Sequence, residues 1–302
     1  MDFNTIKKEL LEKGYIIIPN ILNDDEIETI KSLHSKWRKS IHNHDTSHNT
    51  IDPHGIYKYN EVGHQRHAWL IRTNPKVQEV FKQLWDCDKL TTGYDGSCYI
   101  SKDTAKIDKI WTHTDQAPNS EGLKCYQSFV ALTSNKERTL VVYETSHLLH
   151  NQYFKSRDIK SSKNWQLIDE TCDCHSKKAK CSCVTLKSIQ HLKRTLDVPA
   201  GSIVLWDSRT FHQNQYGAPN SEERLVQYIC MLPDDNKLNS KSMKEKRLKY
   251  FEERRTTSHW PYPIRVNSKQ PQTYGNDSLL IDYTKITKPE IDDLKDAIMK
   301  LL

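Results

Sequence analysis

A mainly β fold with flanking helices, built as a sandwich or barrel of short strands, is the architecture this sequence predicts. Three observations predict it. Residues 91–232 hold six short runs rich in β-branched and aromatic residues, several of them separated by turn signals. The chain on either side carries amphipathic helical patterns. A length of 302 residues at 36% hydrophobic content suits one large domain of this kind with a sizeable core.

The elements follow in chain order. Ile6, Leu10 and Leu11 mark a first helical face, and Gly14 ends it. Residues 15–19 (YIIIP) read as a short apolar strand. Asn23 precedes Glu26 by three, a helix-start signal, and Ile27, Ile30, Leu33 and Trp37 follow on one face. Residues 40–66 are polar and histidine-rich, with His42, His44, His48, His54 and His64, and His67 just beyond. They are expected to form a surface loop, with a substrate lid as the alternative. Residues 75–87 read as a helix burying Val77, Val80, Phe81 and Leu84.

Strands are expected at 97–101, 125–132, 139–143, 194–198, 202–206 and 224–232. The polar stretch 155–192, with its cysteine cluster, reads as an insertion between strands. Beyond Pro233, residues 236–255 read as a charged, solvated helix, and 256–285 as irregular chain draped over the body. Thr287 and Glu290 form a capping-box pattern ahead of a closing amphipathic helix through Ile291, Leu294, Ile298 and Leu301. No internal repeat is visible. The expected organisation is a single domain over 1–302: helical support to 90, a β core over 91–232 and a C-terminal helical and irregular extension over 233–302.

A formal charge of +6 is a mild excess, compatible with an anionic substrate but far from the basic stripe of a nucleic-acid binder. No run approaches the roughly 20 apolar residues of a membrane span. The charged N-terminus lacks the apolar centre of a signal peptide, so the sequence predicts a cytoplasmic protein without membrane partners. Of eight cysteines, four crowd into residues 172–183; in a reducing compartment this favours a metal clip over a disulfide framework.

The chemistry sits in WTHTDQ, residues 111–116. In extended chain, residues two apart point the same way, so His113 and Asp115 can face one metal. The best third ligand is His212, which follows the turn PAGS (199–202) and the apolar run IVLW (203–206). Two histidines and one carboxylate make a facial triad with open positions, the arrangement that suits non-haem Fe(II) with 2-oxoglutarate and O2. Twelve residues after His212, Arg224 opens the strand RLVQYICML. A guanidinium there is a natural bidentate partner for the far carboxylate of 2-oxoglutarate.

These residues resemble the phytanoyl-CoA dioxygenase-like oxygenases. The likeness spans most of residues 5–232, through LLEKGYIIIPNILNDDEI, WTHTDQ, QSFVAL, the turn ETSH at 144–147 and VPAGSIVLWDSRTFHQN. The resemblance implies a double-stranded β-helix, a jelly-roll (cupin-like) barrel wrapped by helices. It implies iron on His113, Asp115 and His212, and 2-oxoglutarate on Arg224, which stands about a residue further from the last histidine than is usual. Gln127, Tyr99 and Ser101 are candidate secondary contacts to the co-substrate. The implied reaction is hydroxylation of an unactivated C–H bond with release of succinate and CO2. Related halogenases carry a small residue where Asp115 stands, so the aspartate favours hydroxylation over halogenation.

Cys172, Cys174, His175, Cys181 and Cys183 place five soft ligands within twelve residues, the donor set of a structural Zn²⁺. Free thiols or a disulfide are the competing readings. Trp111, Gln116, Trp206 and Arg209 flank the iron ligands as candidate substrate contacts. A small molecule is the expected substrate, with protein or nucleic acid as open alternatives. Two other functions remain: a non-catalytic jelly-roll module that keeps its metal, and a zinc-dependent interaction protein.

Overall fold

The structure is a computed structural model, and it describes residues 2–41, 53–172 and 183–302. The N-terminal third runs α1 (Phe3–Lys13), β1 (Tyr15–Ile18), α2 (Asp24–Ser40), β2 (Ile56–Tyr57), α3 (Arg66–Arg72) and α4 (Pro75–Trp85). Then come β3 (Leu90–Thr92), β4 (Ser97–Ile100), β5 (His113–Thr114), β6 (Tyr126–Ala131), β7 (Leu140–Tyr143), α5 (Ser146–Lys155) and β8 (Gln166–Leu167). The remainder is β9 (Lys193–Thr195), β10 (Ile203–Asp207), β11 (His212–Asn214), β12 (Arg224–Ile229), β13 (Met231–Pro233), α6 (Lys241–Glu252) and α7 (Lys295–Met299).

Local chemistry sets the helix ends. Asn23 accepts from the Glu26 amide while the Glu26 carboxylate accepts from the Asn23 amide, so the expected capping box is in place. Gly14 closes α1 at φ 84°, a conformation that costs glycine little. Leu11, expected on the buried face of α1, is exposed; Ile6 and Leu10 carry that face.

The strands form two sheets in which all the strand pairings are antiparallel. One has six strands in the order β1-β10-β6-β12-β4-β2, the other five in the order β8-β5-β11-β7-β9; β13 and β3 form a separate pair. The run 224–232 thus divides into two strands with different partners.

Strand alternation assigns the faces. In β10, Val204 and Trp206 join a cluster with Phe129, Val226, Leu140 and Val142, which draws on both sheets and so lies between them. Ile203 and Leu205 face the other way, into a larger cluster with Leu10, Ile30, Val80 and Phe81 of the helices. The six-stranded sheet is therefore buried on both faces. The PAGS turn enters it tightly. Gly201 has φ +76°, its carbonyl accepts from the amides of Ile21 and Leu22, and a Cβ there would stand 2.6 Å from the Leu22 oxygen.

Three segments differ from the sequence expectation. The capping-box pattern at Thr287 and Glu290 starts no helix, and α7 begins only at Lys295. Pro289 disfavours helical backbone at Lys288, and Arg66 fixes the stretch by donating to the Glu290 carbonyl and pairing with Asp293. Within 53–66, Val62, Gly63 and His64 are buried, not on a surface loop, and His64 bonds the Arg255 carbonyl. His42, His44 and His48 lie outside the described residues. Within the polar stretch 155–192, residues 166–167 form β8 and pair with β5. Among the described residues no helix is long and apolar enough to cross a membrane.

Candidate metal centre

β5 and β11 pair with His113 opposite His212, so one antiparallel contact brings two imidazoles together, ring centroids 4.4 Å apart. Asp115 lies two residues beyond His113, its amide tied to the Ser208 carbonyl at 3.1 Å. Thr114, between them, points the opposite way and donates its hydroxyl to the same carbonyl. The Asp115 carboxylate stands 3.5 Å from His113 Nε2 and 3.3 Å from His212 Nε2. These three are the one group of His, Cys, Asp or Glu among the described residues arranged to hold a metal, and all three are buried.

The outer atoms of the two rings decide what the inner atoms can do. His113 Nδ1 lies 3.1 Å from the Trp111 carbonyl and His212 Nδ1 lies 2.9 Å from the Thr210 carbonyl. A carbonyl only accepts, so each Nδ1 carries a proton, and the tautomer that would bind a metal turns its Nε2 lone pair inward. Both Nε2 atoms lie 3.3–3.5 Å from the Asp115 carboxylate, close enough for all three to meet one cation. The donor set of two imidazoles and one carboxylate fits Fe(II) with open positions.

Burial alone would push the Asp115 carboxyl up, but the adjoining His113 charge and contacts from His113 and His212 hold it well below its ordinary range. Burial, then the neighbouring His113, pushes His212 down, which favours the neutral ligand form. Gln127, on the inward face of β6, donates to Asp115 Oδ2 at 3.0 Å and fixes the carboxylate. Gln127→Ala is expected to weaken Fe(II) or Mn(II) binding about 10- to 100-fold, the usual worth of an outer partner of a metal ligand. Metal titration by calorimetry checks this.

Arg224 is fully buried at the head of β12. It donates to the Arg138 carbonyl at 3.0 Å and to Asn214 Oδ1 at 3.3 Å, its Nε has no partner, and its guanidinium lies 5.0 Å from the Phe129 ring centroid. Among the described residues no carboxylate pairs with it. A buried guanidinium without a counter-ion is costly by several kcal/mol, so the site calls for an anion. Asn214 connects this arginine to the triad: it shares a face of β11 with His212 and also donates to the Tyr228 hydroxyl at 3.0 Å.

A cavity of about 520 Å³ opens over the triad and includes Trp111, Trp206, Asn214 and Tyr228 in its walls. Trp111 stacks on His113 at 4.8 Å and Trp206 lies 5.3 Å from His212. Both were expected near the ligands, and both line the cavity. Gln116 and Arg209 do not. Gln116 donates to the Ser120 and Gly122 carbonyls and pins its own loop, and Arg209 chelates Asp207, with Nη2 at 2.6 Å from Oδ2.

Tyr99 and Ser101 are not brought to the centre either. Cys98 and Ile100 take the inward positions of β4, so Tyr99 faces the helices, where its hydroxyl donates to Glu223 and Arg38 lies over its ring. Ser101 bonds Thr104. Cys172 is disulfide-bonded, which removes its sulfur as a thiolate ligand for zinc; Cys174, His175 and Cys181 lie outside the described residues. Cys172 and Cys183 line a recess that shares no residue with the triad's cavity.

Sequence reasoning missed the far wall. Residues 257–266 form a narrow hairpin, with Thr257 bridged to Val266 and Ser258 donating to the Arg265 carbonyl. Thr257 and Tyr94 exchange two hydrogen bonds, docking the hairpin against the chain before β4. Thr257, His259, Trp260 and Arg265 thereby line the cavity, and Trp165, ahead of β8, lies 5.5 Å from His113. No local periodicity announces such a wall. His259 contacts the Asp95 carboxylate. Burial works against its charge, but Asp95 prevails and raises its pKa from 6.5 to about 10. The stability this pair contributes is therefore fully present below about pH 6.5 and lost as pH rises through about 10. Urea unfolding at a series of alkaline pH values is expected to show that loss in the wild type and not in His259→Gln.

The fold is shared with solved non-haem enzymes. The epimerase SnoN in complex with Fe3+, alpha ketoglutarate and nogalamycin RO superposes with a TM-score of 0.52 at 17% identity, over 76% of this chain and 83% of that one. The apo non-haem monooxygenase ThoJ gives 0.51 at 11% identity, over 99% and 93%. By sequence, the chain is 27% identical over 244 residues to the Ava biosynthesis cluster protein O of Aspergillus versicolor, covering 75% of this chain and 77% of that protein. No family model matches the chain. The phytanoyl-CoA dioxygenase likeness thus rests on the motifs alone.

Proposed function

We propose that this protein is an Fe(II)- and 2-oxoglutarate-dependent oxygenase of the phytanoyl-CoA dioxygenase-like type. In this reading the two sheets are a double-stranded β-helix and the whole chain acts as one domain. It hydroxylates an unactivated C–H bond of a small molecule. The observation that carries the reading is the pairing of two features: inward lone pairs on His113, Asp115 and His212, and a buried Arg224 that lacks a counter-ion.

Iron bound with 2-oxoglutarate and O2 supplies oxidation of an unactivated C–H bond, releasing succinate and CO2. The chain's own residues do the positioning. His113, Asp115 and His212 hold the metal, with the Trp111 and Thr210 carbonyls keeping both rings in the ligand tautomer. Arg224 takes the distal carboxylate of 2-oxoglutarate, and Gln127 fixes Asp115. Trp111 and Trp206 exclude water from beside the two histidines. A carboxylate at Asp115 favours hydroxylation over halogenation. The cavity size falls within the roughly 300–1,000 Å³ of small-molecule sites. SnoN, bound to nogalamycin RO, is a small-molecule enzyme with the same fold, and its epimerase activity marks the alternative outcome for the same site. The test is succinate release from 2-oxoglutarate: Fe(II)-dependent release supports the reading, and none from iron-loaded protein under O2 contradicts it.

A further inference from the structure

The cavity walls hold more hydrogen-bond donors and positive charge than their own acceptors use. Lys58, Lys163 and Arg265 line it from three separate segments, and among the described residues none of them forms an ion pair. The acidic groups in the wall are already engaged. Asp95 contacts His259 and accepts from the Gly96 amide at 2.7 Å, and Asp115 accepts from Gln127 beside His113 and His212. Three cationic residues therefore line the cavity without a carboxylate of their own to pair with.

The lining also includes the indoles of Trp165 and Trp260. Trp165 is 49% exposed although its ring lies 5.5 Å from His113, whereas Trp260, on the hairpin, is buried against Cys230 and Tyr262. A large apolar side chain held partly in water, as Trp165 is, marks a contact surface. The anion that Arg224 calls for lies elsewhere: Arg224 is wholly buried between the sheets and is not among the residues of the cavity wall.

We infer that the substrate of this site is an oxyanion with a flat apolar body, its carboxylate or phosphate held by Lys58, Arg265 and Lys163 and its body set against Trp165. This rests on the oxygenase reading for the role of the site, but the binding preference stands on the cavity walls alone. Charge-assisted hydrogen bonds are the strong ones, and clefts lined by one sign of charge concentrate ligands of the other.

Calorimetric titration of the full chain, loaded anaerobically with Ni(II) and 2-oxoglutarate, tests this with two probes, naphthoate and its neutral isostere naphthamide. Naphthoate is expected to bind at least about 10-fold tighter, the worth of one hydrogen bond to a charged group. The advantage should shrink with added salt and fall to about 2-fold or less in Lys58→Ala/Arg265→Ala. Trp165→Ala should weaken both probes alike. Equal binding of the two probes, no binding of either, or a preference that survives the double substitution overturns the inference. Affinity for 2-oxoglutarate is followed in the same samples. If the wild type takes up none, the oxygenase reading fails, whereas the same probe titration on metal-free protein still decides the anion preference.

Discussion

Asp115→Ala is expected to lower Fe(II) affinity by at least about 100-fold and to remove succinate release. Loss of an outer partner such as Gln127 already costs 10- to 100-fold, and Asp115 is the sole anionic donor of the triad. The same substitution should also destabilise the metal-free protein at neutral pH: His113, His212 and Gln127 favour the ionised carboxylate, and that stabilisation is lost as pH falls through the carboxylate range. Metal titration paired with thermal unfolding separates the two effects. A variant that unfolds early yet binds metal as the wild type does would mean that Asp115 is a structural hydrogen-bond acceptor and not a ligand.

Arg224→Met is expected to weaken 2-oxoglutarate binding without unfolding the protein. Removing one partner of a buried charge pair costs about 2–5 kcal/mol, roughly 30-fold to a few thousandfold in affinity. In the ligand-free protein the guanidinium has no carboxylate partner and is held by one carbonyl, one amide oxygen and the Phe129 ring, so a methionine of similar length should fill its place at little cost. The signature is a thermal shift: 2-oxoglutarate with metal should raise the unfolding temperature of the wild type and not of the variant. An equal shift in both would place the co-substrate elsewhere.

The grouping of His113, Asp115 and His212 was legible in the sequence because it depends on short-range geometry. His113 and Asp115 share a face by strand alternation, and His212 follows a turn and an apolar strand that fix its place. The secondary contacts were harder. Tyr99 and Cys98 are neighbours on a strand buried on both faces, so no polar and apolar alternation shows which points inward. Gln127 fell on the inward parity of β6 and Tyr99 on the outward parity of β4. The closing helix was misplaced because Pro289 and the Arg66–Asp293 pair outweigh a local capping pattern. Least legible was the cavity wall of His259, Trp260 and Arg265. It arises from irregular chain docked on Tyr94, more than 160 residues earlier, through one backbone bond and one to the Thr257 hydroxyl, neither of which leaves a local periodic pattern.

That wall distinguishes the inferred substrate from the co-substrate. Arg224 is buried between the sheets, whereas Lys58, Lys163 and Arg265 line the cavity together with His113 and His212, so the two proposed anions belong to different residues.

The measurement that bears most directly on the account is the visible charge-transfer band of anaerobic Fe(II) protein titrated with 2-oxoglutarate. The wild type is expected to develop the band of a metal-chelated keto acid with saturable binding. Asp115→Ala should show none, and Arg224→Met should reach it only at much higher 2-oxoglutarate. Iron-loaded wild type that develops no band would contradict the central claim that His113, Asp115 and His212 hold iron with positions open to 2-oxoglutarate.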